Sequence, residues 1–273
     1  MRAKQTENPF SNSATHSTTY AGEYTHTDVW GPARFAATNG ARYYMTFIDD
    51  YSRHCTIKLL SKKSEAFEMV KGYLAFIERH LGFLPKAIRA DNGGEYVNND
   101  LKSWLNQRGI LLDPTAPYSP QQNGIAERYN RTLADLIRAM LCAKKLPKIL
   151  WGVAALHAGY LRNRADTRSL PDMTPMERWS RKRPDVASFQ EFGTPVSILH
   201  QGVGRDKLDP RGDIHILLVL KTVHLLFAIS TLLLNKSKSR EIIISCLLRI
   251  TLRNSRGSIW VRTNRFGSYR SIQ

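Results

Sequence analysis

Cysteine is scarce and scattered. The chain of 273 residues has three, Cys55, Cys142 and Cys246. They lie far apart and never form a CxxC pair, so neither a thiolate zinc knuckle nor a disulfide framework is indicated, and a reducing compartment fits. Acids are outnumbered: 23 Asp and Glu stand against 40 Lys and Arg, for a net charge of +17 and a pI near 10.0. A soluble chain this basic usually meets a polyanion, and nucleic acid is the commonest. Charge alone leaves open a ribosomal-type or chromatin protein and an enzyme acting on DNA. The eight histidines show no metal-ligand spacing. Residues 1–20 lack an apolar stretch and are rich in Ser, Thr and Asn, which excludes a secretory signal; they read as a disordered arm or the stub of an upstream segment.

What is present is alternation, then helical periodicity. Tyr24 to Trp30 reads as a strand, Asn39-Gly40 signals a hairpin, and Arg42 to Asp49 and His54 to Leu60 read as two further strands of an antiparallel meander. Ser64 is placed to cap a helix whose apolar stripe is Phe67, Val70, Leu74, Ile77 and Leu81, with Gly82 at its C-terminal cap. Pro85 to Ala90 reads as a short strand delivering Asp91 into an Asn92-Gly93-Gly94 turn, followed by a helix over Asn99–Arg108 and a strand at Ile110–Leu112. After a loop at Thr115–Tyr118, Ser119 to Gln122 has capping-box spacing with Pro120 at the first helical position. That predicts a helix to about Leu141 with Leu133, Leu136, Ile137, Met140 and Leu141 on its apolar face. Helices over Leu150–Arg162 and Thr174–Trp179, a dense run of arginines from Arg162 to Arg183, and a strand at Phe192–His200 follow.

The expected architecture is therefore an α/β layered domain, a sheet of three to five strands wrapped by helices. Its division is an arm (1–20), a core (21–184), a partial extension (185–212) and a tail of doubtful fold (213–273). The tail has ten Lys and Arg against two Asp and Glu, with few turn signals or clean amphipathic periods. Its apolar run Ile214–Leu234 is 21 residues long, enough for a bilayer. Lys221 near its centre would cost roughly 2.5–3.5 kcal/mol on insertion, and His215 and His224 weaken a span further.

Three acids carry the functional reading, although none is diagnostic alone. Asp28 could be a polar residue on an open strand face, Asp91 a turn former before Asn-Gly, and Glu127 one solvated helix residue among many. Asp49, Asp50 and Glu95 are rivals, and Asp49-Asp50 is most simply a turn with a solvated end. Jointly, a strand-borne Asp, an Asp leaving a second strand and a helical Glu with 35 residues between it and Asp91 form a DDE pattern. Two carboxylates about 4 Å apart repel by roughly 4 kcal/mol at an effective dielectric of 20, which divalent cations neutralise. Mg²⁺ takes hard oxygen ligands and keeps several waters. A pair of ions can activate an attacking oxygen and stabilise the leaving one in phosphoryl transfer. Arg131 and Arg138 lie near the Glu127 face by helical spacing and are placed to hold phosphates, or to form a solvated basic stripe. Tyr118, Gln122 and Asn123 precede the acid in a loop suited to a DNA end with unpaired bases. His26 shares the Asp28 strand face and could touch the site.

HTDVWGP, YYMTFIDDYSRH, RADNGGEY and TAPYSPQQNGIAERYNRTL closely resemble the integrase core of copia-type LTR retrotransposons, over roughly residues 4–211. The resemblance implies an RNase H-like fold with a mixed five-stranded sheet, dependence on Mg²⁺ or Mn²⁺ with two ions, and catalysis and metal binding by Asp28, Asp91 and Glu127. It implies trimming of element DNA ends and attack of the resulting 3′-hydroxyl on target DNA, by a multimer on paired ends, in the nucleus where target DNA lies. A decayed, catalytically silent fragment that only binds nucleic acid is the competing reading. The family's His/Cys zinc-binding segment is not seen before Arg2-Ala3-Lys4, and Thr194 stands where members usually carry the Cys of FGC. The pattern stops after KLDPRG (Lys207–Gly212), from which a truncated polyprotein fragment with a frameshifted tail is expected.

Overall fold

The computed structural model describes residues 17–91, 99–114, 123–187, 189–199, 212–222 and 225–230. Three strands open it: β1 (Tyr24–Trp30), β2 (Tyr43–Asp49) and β3 (Cys55–Leu60). They form the expected meander, with Asp28 opposite Thr46 across β1/β2 and Thr46 opposite Ile57 across β2/β3. Helix α1 (Ala66–Leu81) then crosses to β4 (Ala87–Ala90), which lies parallel to β1, and α2 (Asn99–Asn106) leads to β5 (Leu111–Pro114), parallel to β4. The sheet is mixed and five-stranded, in the order β3-β2-β1-β4-β5. Three helices follow: α3 (Gly124–Ala143), α4 (Trp151–Arg162) and α5 (Pro175–Ser180).

Side chains alternate across a strand, so each sheet face collects every second residue. Met45 and Phe47 of β2 point into one core with Val70, Tyr73, Leu74 and Ile77 of α1 and Leu101 and Leu105 of α2. Tyr44, one residue before Met45, faces the other core with Leu133, Ile137 and Leu141 of α3 and Ala154, Ala155 and Ala158 of α4. β2 is covered on both faces and reads as a nearly continuous apolar run for that reason. The predicted α1 stripe is the buried one, with Tyr73 added and Phe67 and Leu81 half-buried. Helix α4 sits close to β3 because its residues there are small. A Cβ on Gly159 would lie 2.5 Å from the Ile57 Cδ1, and one on Gly152 would lie 2.9 Å from the Ala37 Cβ.

Several expectations need adjusting. Ser64 does not cap α1: a 3₁₀ turn over Lys63–Glu65 leads into the helix, and the side chain of Glu65 at the cap position accepts the Ser61 N–H at 2.9 Å instead of capping the helix. Thr174 does cap α5, accepting the Glu177 N–H at 3.2 Å. The Asn92-Gly93-Gly94 turn, the Thr115–Tyr118 loop, the Ser119–Gln122 capping box, Lys207 to Arg211 and residues 231–273 lie outside the described residues. At the N-terminus, the end of the expected arm is tied down, since the Thr18 hydroxyl donates to the Asp50 Oδ2 at 2.8 Å and Tyr20 packs edge-on against Phe83.

Past the core, β6 (Thr194–Leu199) pairs with β7 (Gly212–Thr222), and β7 with β8 (Leu225–Ser230), in a separate antiparallel sheet. The described part of the tail read as 213–273, residues up to 222 and 225–230, forms these strands. Leu217 and Leu218 are buried, and Leu218 packs into the core of α3 and α4. Within the apolar run, β7 has an edge of β6 to pair with and a helical surface to cover. No helix among the described residues is long and apolar enough to cross a membrane.

Candidate active site

β1 and β4 are parallel neighbours, with Thr25 opposite Ile88 and His26 opposite Arg89. Continued by two steps, this register sets Asp28 beside Asp91, which directly follows β4. Adjacent strands are roughly 4.8 Å apart, so two acids remote in sequence come to neighbouring strands at the same level. The sequence does this with two short strands linked by the α1 crossover. Glu127 arrives from the other layer, in the first turn of α3. That turn is fastened to β1 by Asn123, whose buried Nδ2 donates to the Thr27 carbonyl at 3.3 Å.

Asp28 and Glu127 line one cleft of ≈ 600 Å³, together with Trp30, Pro32, Asn130 and Arg131. Trp30 closes one side, stacked on Tyr44 at 4.9 Å between ring centroids. The Asp28 carboxylate is oriented at both oxygens: Oδ1 accepts the Val29 N–H at 2.9 Å, and Oδ2 accepts the Asn130 amide at 2.6 Å. Asn130 is buried, and its own Oδ1 has no hydrogen-bond partner. Glu127 is exposed toward solvent. Asp91 does not line the cleft, and among the described residues no three His, Cys, Asp or Glu side chains gather closely enough to grip one metal ion. The structure therefore brings Asp28 and Glu127 together and leaves Asp91 beside Asp28 by strand register alone. As a donor set the three are all carboxylates, hard oxygen ligands of the kind Mg²⁺ or Mn²⁺ takes.

The residues expected to touch DNA divide. Arg131 lies in the cleft, one turn beyond Glu127. Arg138 does not: it follows Glu127 by 11 positions, about 16 Å along a helix rising 1.5 Å per residue, and pairs with Asp135 at 2.7 Å on the exposed surface. Asn123 is a buried fastener between α3 and β1, not an exposed loop amide. Tyr118 and Gln122 lie outside the described residues. Asn130 was missed, though its position three after Glu127 puts it on the same helix face.

The rival acids have other work. Asp49 is fully buried and accepts the Gly22 N–H, the Ser52 N–H and the Ser52 hydroxyl. Burial pushes its carboxyl up in spite of these bonds. Asp50 is also buried, which by itself would raise it, but bonds from His26, Thr18 and Arg53 hold it well below the usual carboxylate range. The pair is therefore an internal clamp and not the solvated turn expected. His26 belongs to that clamp, with its Nε2 3.0 Å from Asp50 and its pKa lowered by burial.

Comparison with known proteins gives concordant matches. Residues 19–120 match the integrase core domain family. The chain is 36% identical over 186 residues to the retrovirus-related Pol polyprotein of transposon TNT 1-94 from Nicotiana tabacum, covering 68% of this chain and 14% of that protein. It is 29% identical over 203 residues to the corresponding polyprotein of transposon RE2 from Arabidopsis thaliana, covering 74% of this chain and 14% of that one. The chain thus spans about a seventh of the length of these relatives. In structure it resembles a chain of the simian T-cell lymphotropic virus intasome in complex with PP2A regulatory subunit B56 gamma. The TM-score is 0.53 with 16% identity, over 82% of this chain and 81% of that one, a likeness of fold.

Proposed function

The chain carries an integrase core domain of the kind found in retrovirus-related Pol polyproteins of plant transposons, and from that premise we propose that it is a metal-dependent polynucleotidyl transferase that trims element DNA ends and joins them to target DNA. The observation that supports this reading is the meeting of Asp28 and Glu127 in one cleft, with Asp91 directly after β4, the parallel neighbour of β1. In this proposal Asp28, Asp91 and Glu127 hold divalent ions, Mg²⁺ or Mn²⁺, which supply charge stabilisation for an in-line phosphoryl displacement. The chain's own residues do the rest. Asn130 holds the Asp28 carboxylate in one orientation by a charge-assisted bond. Arg131 offers an exposed cation for a phosphate entering beside Glu127. Trp30, 36% exposed and backed by Tyr44, presents a face on which an unpaired base can stack. The active form on DNA is a multimer on paired ends, and its place of action is the nucleus.

A strand-transfer assay on branched and linear DNA, with Mg²⁺ or Mn²⁺, compares the intact chain with Asp91→Asn and Glu127→Gln. Joining, or its reversal on the branched substrate, is expected from the intact chain and lost in both variants; equal activity in all three rejects the assignment. The absence of a three-acid cluster among the described residues favours a second reading, a silent chain that binds nucleic acid without cutting it. Under that reading the intact chain binds DNA and neither nicks nor joins it at any metal concentration.

A further inference from the structure

The connection from β1 to β2, residues 31–42, begins on the rim of the acid cleft, which Gly31 and Pro32 line together with Trp30. Gly31 has φ +132°, and a Cβ there would come within 2.7 Å of the Arg42 carbonyl oxygen, so the turn out of β1 needs glycine. Beyond it the backbone is fastened at four points. The Ala33 N–H donates to the Arg42 carbonyl at 2.7 Å, the Ala37 N–H to the Ala41 carbonyl at 2.7 Å and the Thr38 N–H to the Ile149 carbonyl at 3.1 Å. The Trp151 indole Nε1–H donates to the Phe35 carbonyl at 2.9 Å. Ala33 and Ala37 are buried in the core of α3 and α4, whereas Arg34, Phe35 and Ala36 between them are exposed.

A loop held this firmly presents its outward side chains from fixed backbone positions. Phe35 is 45% exposed and belongs to no buried cluster, so its ring contributes little to the fold. The Arg34 guanidinium lies 5.6 Å from the centroid of that ring. Trp151 links Phe35 to the cleft wall, since its ring centroid is 5.7 Å from that of Trp30. Trp30, Pro32, Phe35 and Ala36 thus form an exposed apolar edge that continues outward from the acids. The charge beside it is positive: Gly31 to Ile48 contains two arginines, Arg34 and Arg42, and no acid, and Arg131 lies in the cleft. An exposed ring with arginines beside it matches a nucleotide, whose base stacks while its phosphate is held. Within a duplex both faces of a base are already covered by its neighbours, so the ligand that fits is an unpaired end.

We propose that Phe35 and Arg34 are specificity-determining residues for DNA ends, Phe35 stacking on an unpaired base of the strand at the acid cleft and Arg34 holding its phosphate. The proposal rests on the reading of that cleft as the place where a DNA strand lies. The test uses the full chain and two labelled duplexes, one ending in a short unpaired thymine tract and one blunt. Binding is followed by fluorescence anisotropy over a salt series without divalent ions. Phe35→Ala is expected to raise Kd for the unpaired end at least about fivefold, the loss of one stacked base, and to change Kd for the blunt duplex less than about twofold. Phe35→Trp should keep the tight binding. Arg34→Gln should flatten the salt dependence for the unpaired end by a slope of about 0.7, one phosphate contact on a single strand. Iodouracil placed in the thymine tract should photo-crosslink to Phe35 or Trp30. Equal Kd for the intact chain and Phe35→Ala at the unpaired end, equal losses on both duplexes, or adducts confined to other regions would overturn the proposal. So would a Phe35→Ala chain whose sedimenting mass changes while its DNA binding does not, which would assign the loop to a second copy of the chain. Since Kd is read without metal, a chain that joins no DNA but shows the Phe35 effect rejects the transferase reading and keeps this one.

Discussion

Replacing Asn130 by Ala separates what the residue does for the fold from what it does for the cleft. Its amide donates to the Asp28 carboxylate at 2.6 Å, and a hydrogen bond to a charged group contributes about 1.5–3 kcal/mol. The same side chain buries an Oδ1 with no partner, a desolvation cost of about 1–3 kcal/mol that the substitution removes. The two nearly cancel, so the variant should lie within about 1.5 kcal/mol of the intact chain in a urea titration followed by tryptophan fluorescence. Activity has no such compensation. Without the amide, Asp28 loses the bond that holds its Oδ2, while the Val29 N–H still donates to Oδ1. Residues that orient ligands of a metal typically contribute 10–100-fold, so single-turnover joining should fall by about that factor in folded protein. A stability loss above about 3 kcal/mol with unchanged joining per folded molecule would refute the reasoning and make Asn130 a structural residue only.

Gly22 has φ +85° and donates its N–H to Asp49 at 2.7 Å, and a Cβ there would come within 2.3 Å of the Leu81 Cδ1. Gly22→Ala should therefore cost about 1–3 kcal/mol, and a melting temperature equal to that of the intact chain would count against the clamp at Asp49. Acid sensitivity follows from two histidines, His26, which is buried, and His54, which is half-buried under Trp179. His54 is held down to about 3, first by burial and then by Arg164 and His80, whereas in the unfolded chain it protonates near 6.5. Between these values the unfolded state binds the extra proton, so stability falls as pH drops through this window, by up to about 1.4 kcal/mol per pH unit for each such group. His26, lowered by burial, adds to the same trend, and Asp50, whose folded pKa is depressed, adds a loss that begins near its unfolded value of about 3.9 and continues as pH falls. His54→Phe, which keeps a ring on Trp179, should flatten the fall in urea stability from pH 6.5 downward; an unchanged slope would remove His54 from the explanation.

The sheet and its helices were legible because their signals are local. Asn39-Gly40 marks the first hairpin, and the spacing of Val70, Leu74 and Ile77 marks the face that α1 buries. Asp28 and Glu127 were legible as a joint pattern, and the cleft contains both. What was not legible depends on partners remote in the chain. Asp49 and Asp50 look like a solvated turn until Gly22, His26 and Thr18 arrive from about thirty residues earlier to bury them. Asn123 reads as a loop amide because nothing nearby in sequence says that the Thr27 carbonyl waits for it 96 positions away. The run after Gly212 has the composition of a membrane segment or a strand, and only pairing with β6 decides between them.

The claim on which the rest depends is that Asp28, Asp91 and Glu127 act on a shared ion, and binding of Mn²⁺ measured by the loss of its free electron paramagnetic resonance signal tests it directly. Titrating the intact chain against Asp28→Asn, Asp91→Asn and Glu127→Gln should show affinity at least about tenfold weaker in each variant. Asp91 decides most sharply, since it follows the strand beside β1 but does not line the cleft that holds the other two acids. Undiminished Mn²⁺ affinity in Asp91→Asn, with Asp28→Asn and Glu127→Gln weakened, would contradict the shared site and reduce it to a pair of acids.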